Sequence, residues 1–318
     1  MRHFFIVATS MFLCLTLPAQ RPNKASFKVV PLGVMGGIDE SNLSAYLLAP
    51  VGTTDFICLD AGTIHAGIQK AITNKTFKAN EATVLKQYIK GYFISHAHLD
   101  HVSGLIINSP GDSSKNIYAL PACMQMLENY YFNGEAWANF GDAGKGYQLK
   151  KYHFNTLEPN TITSVANTAM EVKAFSLSHV NPFESAAFLV NKGEDYVLYL
   201  GDTGADEIEK SDKLQILWKA IAPLIVEKKL KGIFIEVSFS NEQPHNSLFG
   251  HLTPALFYQE MNKLASLVGS VAVKNLNIII THNKPPAANT RKIKAQLIAG
   301  NKLTLKLIFP EQGRAFLL

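Results

Sequence analysis

Apolar residues in this chain fall into short runs bounded by Gly, Asn, Asp or Pro, with longer segments of helical period between the later runs. The short runs predict strands at Phe27–Leu32, Ser44–Leu48 and Phe56–Leu59, separated by turn residues. A helical stretch at Glu81–Lys90 leads into a strand at Tyr92–Ile94, and further strands are expected at Ile117–Leu120, Glu171–Phe175, Ala186–Val190 and Tyr196–Leu200. Helices are expected at Leu214–Lys229, Pro254–Val268 and Arg291–Ala299, with strands at Gly232–Val237, Asn277–Thr281, Leu303–Ile308 and Arg314–Leu317. An early meander followed by strand–helix alternation predicts two sheets packed together with helices outside. Two polar segments interrupt this, Ser109–Asn116 and Asn133–Gly146. The second holds glycines at 134, 141, 144 and 146, so it reads either as a surface excursion or as a wall over a site.

Composition narrows the class. Of the 318 residues 47% are hydrophobic and 17% charged, which excludes a disordered chain. The net charge of +5 is dispersed, so no stripe for nucleic acid is expected. Three cysteines without a CxxC pair exclude a disulfide scaffold and a thiolate zinc knuckle, and Cys58 and Cys123 are expected as buried free thiols.

The N-terminal MRHFFIVATSMFLCLTLPAQ has one Arg, an apolar run from Phe4 to Leu17 and a small residue at Ala19. It reads as a secretory signal over residues 1–19, leaving one domain at 20–318 in the periplasm or outside the cell. Leu13 before Cys14 argues against lipid attachment. The run is too short for a membrane span, so no membrane anchor is expected.

The chemistry concentrates at Ser95-His96-Ala97-His98-Leu99-Asp100-His101, directly after the apolar Gly91–Ile94. A core rejects three imidazoles and a carboxylate packed together, because each demands a partner when buried. A metal site accounts for them. Alternate side chains of HxH project to one side and reach one cation, while Asp100 and His101, opening a helix, turn toward a second. Further candidates end later strands: His179 after Ser176-Leu177-Ser178, Asp202 after Leu198–Gly201 and His282 after Ile278–Thr281. Each alone reads as a loop or capping residue. Together they make seven ligand-type side chains on one edge of a layered fold. Imidazole and carboxylate suit two divalent ions, zinc foremost, with manganese or iron as alternatives.

The order HxHxDH, His, Asp, His resembles the metallo-β-lactamase superfamily. Residues 96–110, HAHLDHVSGLIINSP, are similar along their length to the signature of class II cyclic-nucleotide phosphodiesterases. The segments Phe132–Phe140 (with Ala138 where that family has Pro), Leu198–Asp206, Ile235–Asn241, Gly250–Pro254 and Thr281–Pro285 agree. The resemblance implies an αββα sandwich, two mixed sheets flanked by helices. It also implies hydrolysis of 3′,5′-cyclic nucleotides, chiefly cyclic AMP, to 5′-monophosphates by a hydroxide shared between the cations. His96, His98 and His179 would hold one metal, Asp100, His101 and His282 the other, with Asp202 between them. A tRNA 3′-processing nuclease or a lactonase of the superfamily is the alternative.

The resemblance makes Asp60 a residue that sets the geometry of the metal loop, where a buried carboxylate would fix an imidazole tautomer. It makes His251 an extra histidine beside the metals, suited to general-acid work, although a helix-capping His fits the same sequence. Trp137, Asn139, Glu236 and Asn241 are candidate nucleotide contacts, with core or loop roles as the alternative. The expected partner is the small cyclic nucleotide, and the sequence permits a homodimer.

Overall fold

In the computed structural model of the protein, Met1 and residues 25–318 are described. The leader, its cleavage after Ala19 and Cys14 therefore lie outside the described residues. Among the described residues fourteen strands form two seven-stranded sheets. The first contains β1 (Phe27–Gly33), β2 (Ala45–Pro50), β3 (Phe56–Leu59), β4 (Ile89–Phe93), β5 (Lys115–Ala119) and β6 (Tyr152–Thr156). The second contains β7 (Ile162–Ser164), β8 (Glu171–Ser178), β9 (Glu184–Lys192), β10 (Asp195–Leu200), β11 (Leu230–Glu236), β12 (Asn277–Thr281) and β13 (Lys306–Ile308). The C-terminal β14 (Phe316–Leu317) returns to the first sheet beside β1.

Each sheet is antiparallel at one end and parallel at the other. Both faces of the central strands are covered, which explains why their sequences read as continuous apolar runs. In β2, Tyr46 and Leu48 point between the sheets while Ala45, Leu47 and Ala49 point at helices. In β10, Val197 and Tyr199 face the inter-sheet core and Leu198 and Leu200 face the outer one. The result is an αββα sandwich with three apolar layers.

Most expected elements are present, with shifted ends. The segment after Glu81 forms only a short helix, Glu81–Thr83, and a π-helical turn, Val84–Tyr88. The strand then begins at Ile89, because parallel pairing with Phe56 takes that residue into the sheet. The helices His65–Thr73 and Pro121–Met126 and the edge strands β6 and β7 were not legible in the pattern. Edge strands such as β7 expose much of their length and carry no apolar run. Cys58 and Cys123 are buried free thiols. No helix among the described residues is long and apolar enough to cross a membrane.

Chain direction places the chemistry. β8 and β10 both run antiparallel to β9 between them, and β11 and β12 run parallel to β10. Their C-terminal ends therefore share one edge of the second sheet. The parallel β3 and β4 end beside them, joined by the Asp60 carboxylate, which accepts from Ser95 and from the Tyr199 hydroxyl of the opposite sheet. In layered α/β folds this edge, where the strands' carboxyl ends open onto loops, is where ligands bind.

Candidate metal centre

His96 and His98 leave the end of β4, and His98 caps the helix Leu99–Asn108, whose first turn carries Asp100 and His101. His179 follows β8, Asp202 follows β10 and His282 follows β12. The structure brings all seven candidate ligands together, in two sets. Nε2 of His96 lies 3.0 Å from Nδ1 of His98, which lies 3.4 Å from Nε2 of His179. On the other side His282 Nε2 is 3.2 Å from Asp100 Oδ2. Asp202 Oδ2 stands between the sets, 3.3 Å from His101 Nε2 and 3.2 Å from His282 Nε2, and 3.8 and 3.9 Å from Nε2 of His96 and His179. Ligands about 2.0–2.1 Å from one tetrahedral ion are separated by about 3.3 Å, which these spacings approach.

Tautomers are set by partners behind the rings. Asp60, fully buried, takes hydrogen bonds from Ser95 N–H (2.7 Å), Ser95 Oγ (2.8 Å), Tyr199 OH (2.6 Å) and His101 Nδ1 (2.8 Å). His179 Nδ1 donates to Gly250 O, His282 Nδ1 to Ser238 Oγ, and His96 Nδ1 to Ser95 Oγ. His96, His179 and His282 thus present a bare Nε2 to the centre, His101 turns its Nε2 toward Asp202, and His98, stacked on Phe183 at 4.9 Å, presents Nδ1. His101 Nε2 is buried with no hydrogen-bond partner. An orphaned imidazole nitrogen aimed at a shared carboxylate is the signature of an ion site, so the residues fit divalent metals.

Burial holds His96, His98 and His179 below the usual imidazole range, His179 down to about 4, so at neutral pH they are neutral ligands. Burial also pulls His101 down, but the carboxylates of Asp202, Asp60 and Asp100 more than offset it and raise this group well above its usual value. Asp202 is held well below the carboxylate range, His282 and His101 overcoming its burial.

Backbone strain concentrates at the same edge. Asp60 (φ 54°), Val180 (φ 56°) and His282 (φ 57°) all lie in the left-handed region, at about 1–2 kcal/mol each for a non-glycine residue. Gly36 is required by close approach: a Cβ there would stand 2.2 Å from the His282 ring.

His251 lies beside the centre, its Nδ1 3.8 Å from Asp202 Oδ2 and 2.7 Å from Glu236 Oε1. Glu236 is buried and also accepts from Thr203 N–H, Ser238 N–H and Ser238 Oγ. Of the two roles open to it, nucleotide contact or loop, these bonds commit its oxygens to holding His251 and the loop. Asn241 accepts from Ala255 N–H in the first turn of the helix Pro254–Val268, so it too serves the fold. Asn139 is buried and binds Ala143 O, Lys145 O and Gly141 N–H, ordering its own glycine-rich loop. Trp137 Nε1 donates to Ser109 Oγ, just past the far end of the helix Leu99–Asn108. Seven residues of helix, 102–108, lie between His101 and that end, about 10 Å. The polar groups of Trp137 and Asn139 are thus engaged within the protein, on Ser109 and on their own loop. Asp60 touches the centre only through His101 and Ser95, so it positions rather than reacts.

Ser95, Phe183, Tyr199, Ser238 and Lys284 were given no role from the sequence. Ser95 and Ser238 did stand in segments of distinctive pattern, while a Tyr inside an apolar strand gives no sign that its hydroxyl reaches Asp60.

The layered fold and this edge define a class, the metallo-β-lactamase fold. The metallo-β-lactamase-fold protein YhfI of Bacillus subtilis superposes with a TM-score of 0.61 at 15% identity, over 92% of this chain and all of that one. Unliganded yeast PDE1 superposes with a TM-score of 0.82 at 22% identity, over 93% of this chain and all of that one. The family of class-II cAMP phosphodiesterases matches residues 78–313, and the chain belongs to it. It is 43% identical to the 3′,5′-cyclic-nucleotide phosphodiesterase of Aliivibrio fischeri, over 95% of this chain and 96% of that one. It is 38% identical to the probable enzyme of that name in Yersinia pestis, over 91% and 88%.

Proposed function

We propose that this protein is an exported phosphodiesterase that hydrolyses 3′,5′-cyclic nucleotides, cyclic AMP foremost, to 5′-monophosphates. The observation that carries the reading is the pair of ligand sets sharing Asp202 Oδ2, beside a buried Glu236–His251 pair, in a chain of this family. His96, His98 and His179 would hold one ion, Asp100, His101 and His282 the other, with Asp202 common to both. The donor set favours zinc over magnesium or calcium. Two such ions supply a water of lowered pKa and offset phosphoryl charge.

The chain's own residues do the rest. Asp60, Ser95, Ser238 and Gly250 keep the bare imidazole nitrogens aimed before substrate arrives, so little reorganisation is left for the reaction. Water adds to phosphorus and the bond to the 3′-oxygen breaks. The proton lost by the attacking water passes to that departing oxygen on the flank lined by His251, whose Nδ1 hydrogen is held by Glu236. Residues 1–19 direct export.

The test uses protein expressed from the full chain. Its N-terminus, metal content and release of 5′-AMP from cyclic AMP are measured with and without chelator. A chain beginning at Gln20 with two equivalents of zinc and chelator-sensitive 5′-AMP release is expected. A dinuclear protein that leaves cyclic AMP intact sinks the substrate assignment, and 3′-AMP as product sinks the regiochemistry.

A further inference from the structure

The residue that carries a further step is Lys284, two positions past the ligand His282. Its main chain is fixed on both sides: its N–H donates to Ser238 O, and its carbonyl accepts from the Asn289 amide, which also reaches Ser238 O. Its ammonium is only half-buried and lies 2.8 Å from Nε2 of His251, above the Phe239 ring at 5.5 Å from the centroid. Among the described residues no carboxylate pairs with it, although the centre beside it is crowded with Asp and Glu.

The tautomer of His251 decides what this flank offers a ligand. Its Nδ1 faces the Glu236 carboxylate, which only accepts, so Nδ1 carries the hydrogen and Nε2 the lone pair. That lone pair accepts from Lys284. The imidazole therefore presents no N–H of its own here, and the free hydrogen-bond donors belong to the lysine. An ammonium holds three N–H groups. One is used on His251, leaving the charge and the remaining donors for an anion.

We propose that Lys284 binds the phosphodiester anion of the substrate, gripping a non-bridging phosphoryl oxygen while its contact with His251 keeps that ring beside the centre. The proposal rests on the phosphodiesterase reading above. A compact ammonium suits this task because it can follow the phosphoryl group as its geometry changes. It also predicts a preference for anionic diesters over neutral esters at this metal edge. No residue already assigned to the centre supplies that preference, since Asp100, Asp202 and Glu236 repel an anion.

The test compares wild type with K284Q and K284R, each zinc-loaded and checked for metal content and melting temperature. Affinity for 5′-AMP is measured by calorimetry, and KM for cyclic AMP and for bis(p-nitrophenyl) phosphate by steady-state kinetics. Loss of a charge-assisted hydrogen bond should weaken 5′-AMP and raise both KM values about tenfold or more in K284Q, with K284R recovering most of the loss. Metal content should be unchanged. The proposal is overturned if K284Q binds 5′-AMP within about twofold of wild type, or if both variants lose metal or fold, because the lysine would then support structure. If wild type ignores cyclic AMP, the phosphodiesterase reading fails on its own, and 5′-AMP binding still decides the lysine.

Discussion

Two buried carboxylates in the first sheet make an instructive pair. Asp112, just before β5, pairs with Lys115 Nζ at 2.7 Å through Oδ1 and takes the hydroxyls of Tyr92 (2.8 Å) and Tyr152 (2.9 Å) on Oδ2. Lys115 in turn donates to Leu85 O at 2.7 Å. That cluster closes on itself. Asp60, at the end of β3, is as well supplied with donors, but its network runs outward through His101 to a nitrogen that nothing satisfies. Both are dense buried polar groups, and density does not tell them apart. The difference lies in the atoms left over: a structural cluster consumes its donors and acceptors, whereas a binding site leaves several bare ones converging on a point.

That contrast is open to attack. Removing the shared carboxylate should have the largest effect. Asp202→Ala should lower cyclic-nucleotide turnover by about a thousandfold or more and leave fewer than two metals bound, read by kinetics and elemental analysis. Asp112→Ala should cost about 3–5 kcal/mol in denaturant unfolding by stranding Lys115, yet keep metal stoichiometry. If it lost metal instead, the two clusters would not be separate.

The pH dependence of the metal-free protein is next. Burial holds folded His179 at about 4, against 6.5 when unfolded. Below 6.5 the unfolded chain therefore binds a proton that the folded one refuses, and stability falls as pH drops from 6.5 toward 4, by up to about 3 kcal/mol. His96, depressed for the same reason, adds in the same direction, while His101, raised, contributes stability that is lost as pH rises. Metal should flatten the fall, because a ligated nitrogen cannot take a proton. Denaturant midpoints across that range, with and without zinc, check it.

Asp60→Asn should weaken metal binding about 10–100-fold while the fold persists, measured by competition with a chelating dye. The smallest effect is expected at Trp137→Phe, with KM for cyclic AMP unchanged within about twofold, since its indole N–H is held at the far end of a helix, about 10 Å from His101. A large rise in KM would return that loop to the site.

Much was legible along the chain. The αββα architecture followed from an apolar meander and later strand–helix alternation, because strands covered on both faces need near-continuous hydrophobicity. The seven converging side chains were legible as candidates because no apolar core tolerates HxHxDH, and because His179, Asp202 and His282 each end a strand. Less legible were the partners of Trp137 and Asn139, which stand in a segment of distinctive pattern while their polar groups bind Ser109 and their own loop.

What the sequence by itself determined is the set of groups: which side chains are of metal-ligand type, and on which strand ends they stand. Where a strand ends is a local property that periodicity and turn residues reveal. Only the tertiary structure decided which nitrogen of each imidazole faces inward, that Asp202 stands between both sets, that Glu236 holds His251, and that Lys284 lies on its far nitrogen. Those relations join residues from opposite sheets and distant loops. They are matters of a few tenths of an ångström and of which hydrogen-bond partner is already taken, and such information exists only once the chain has closed.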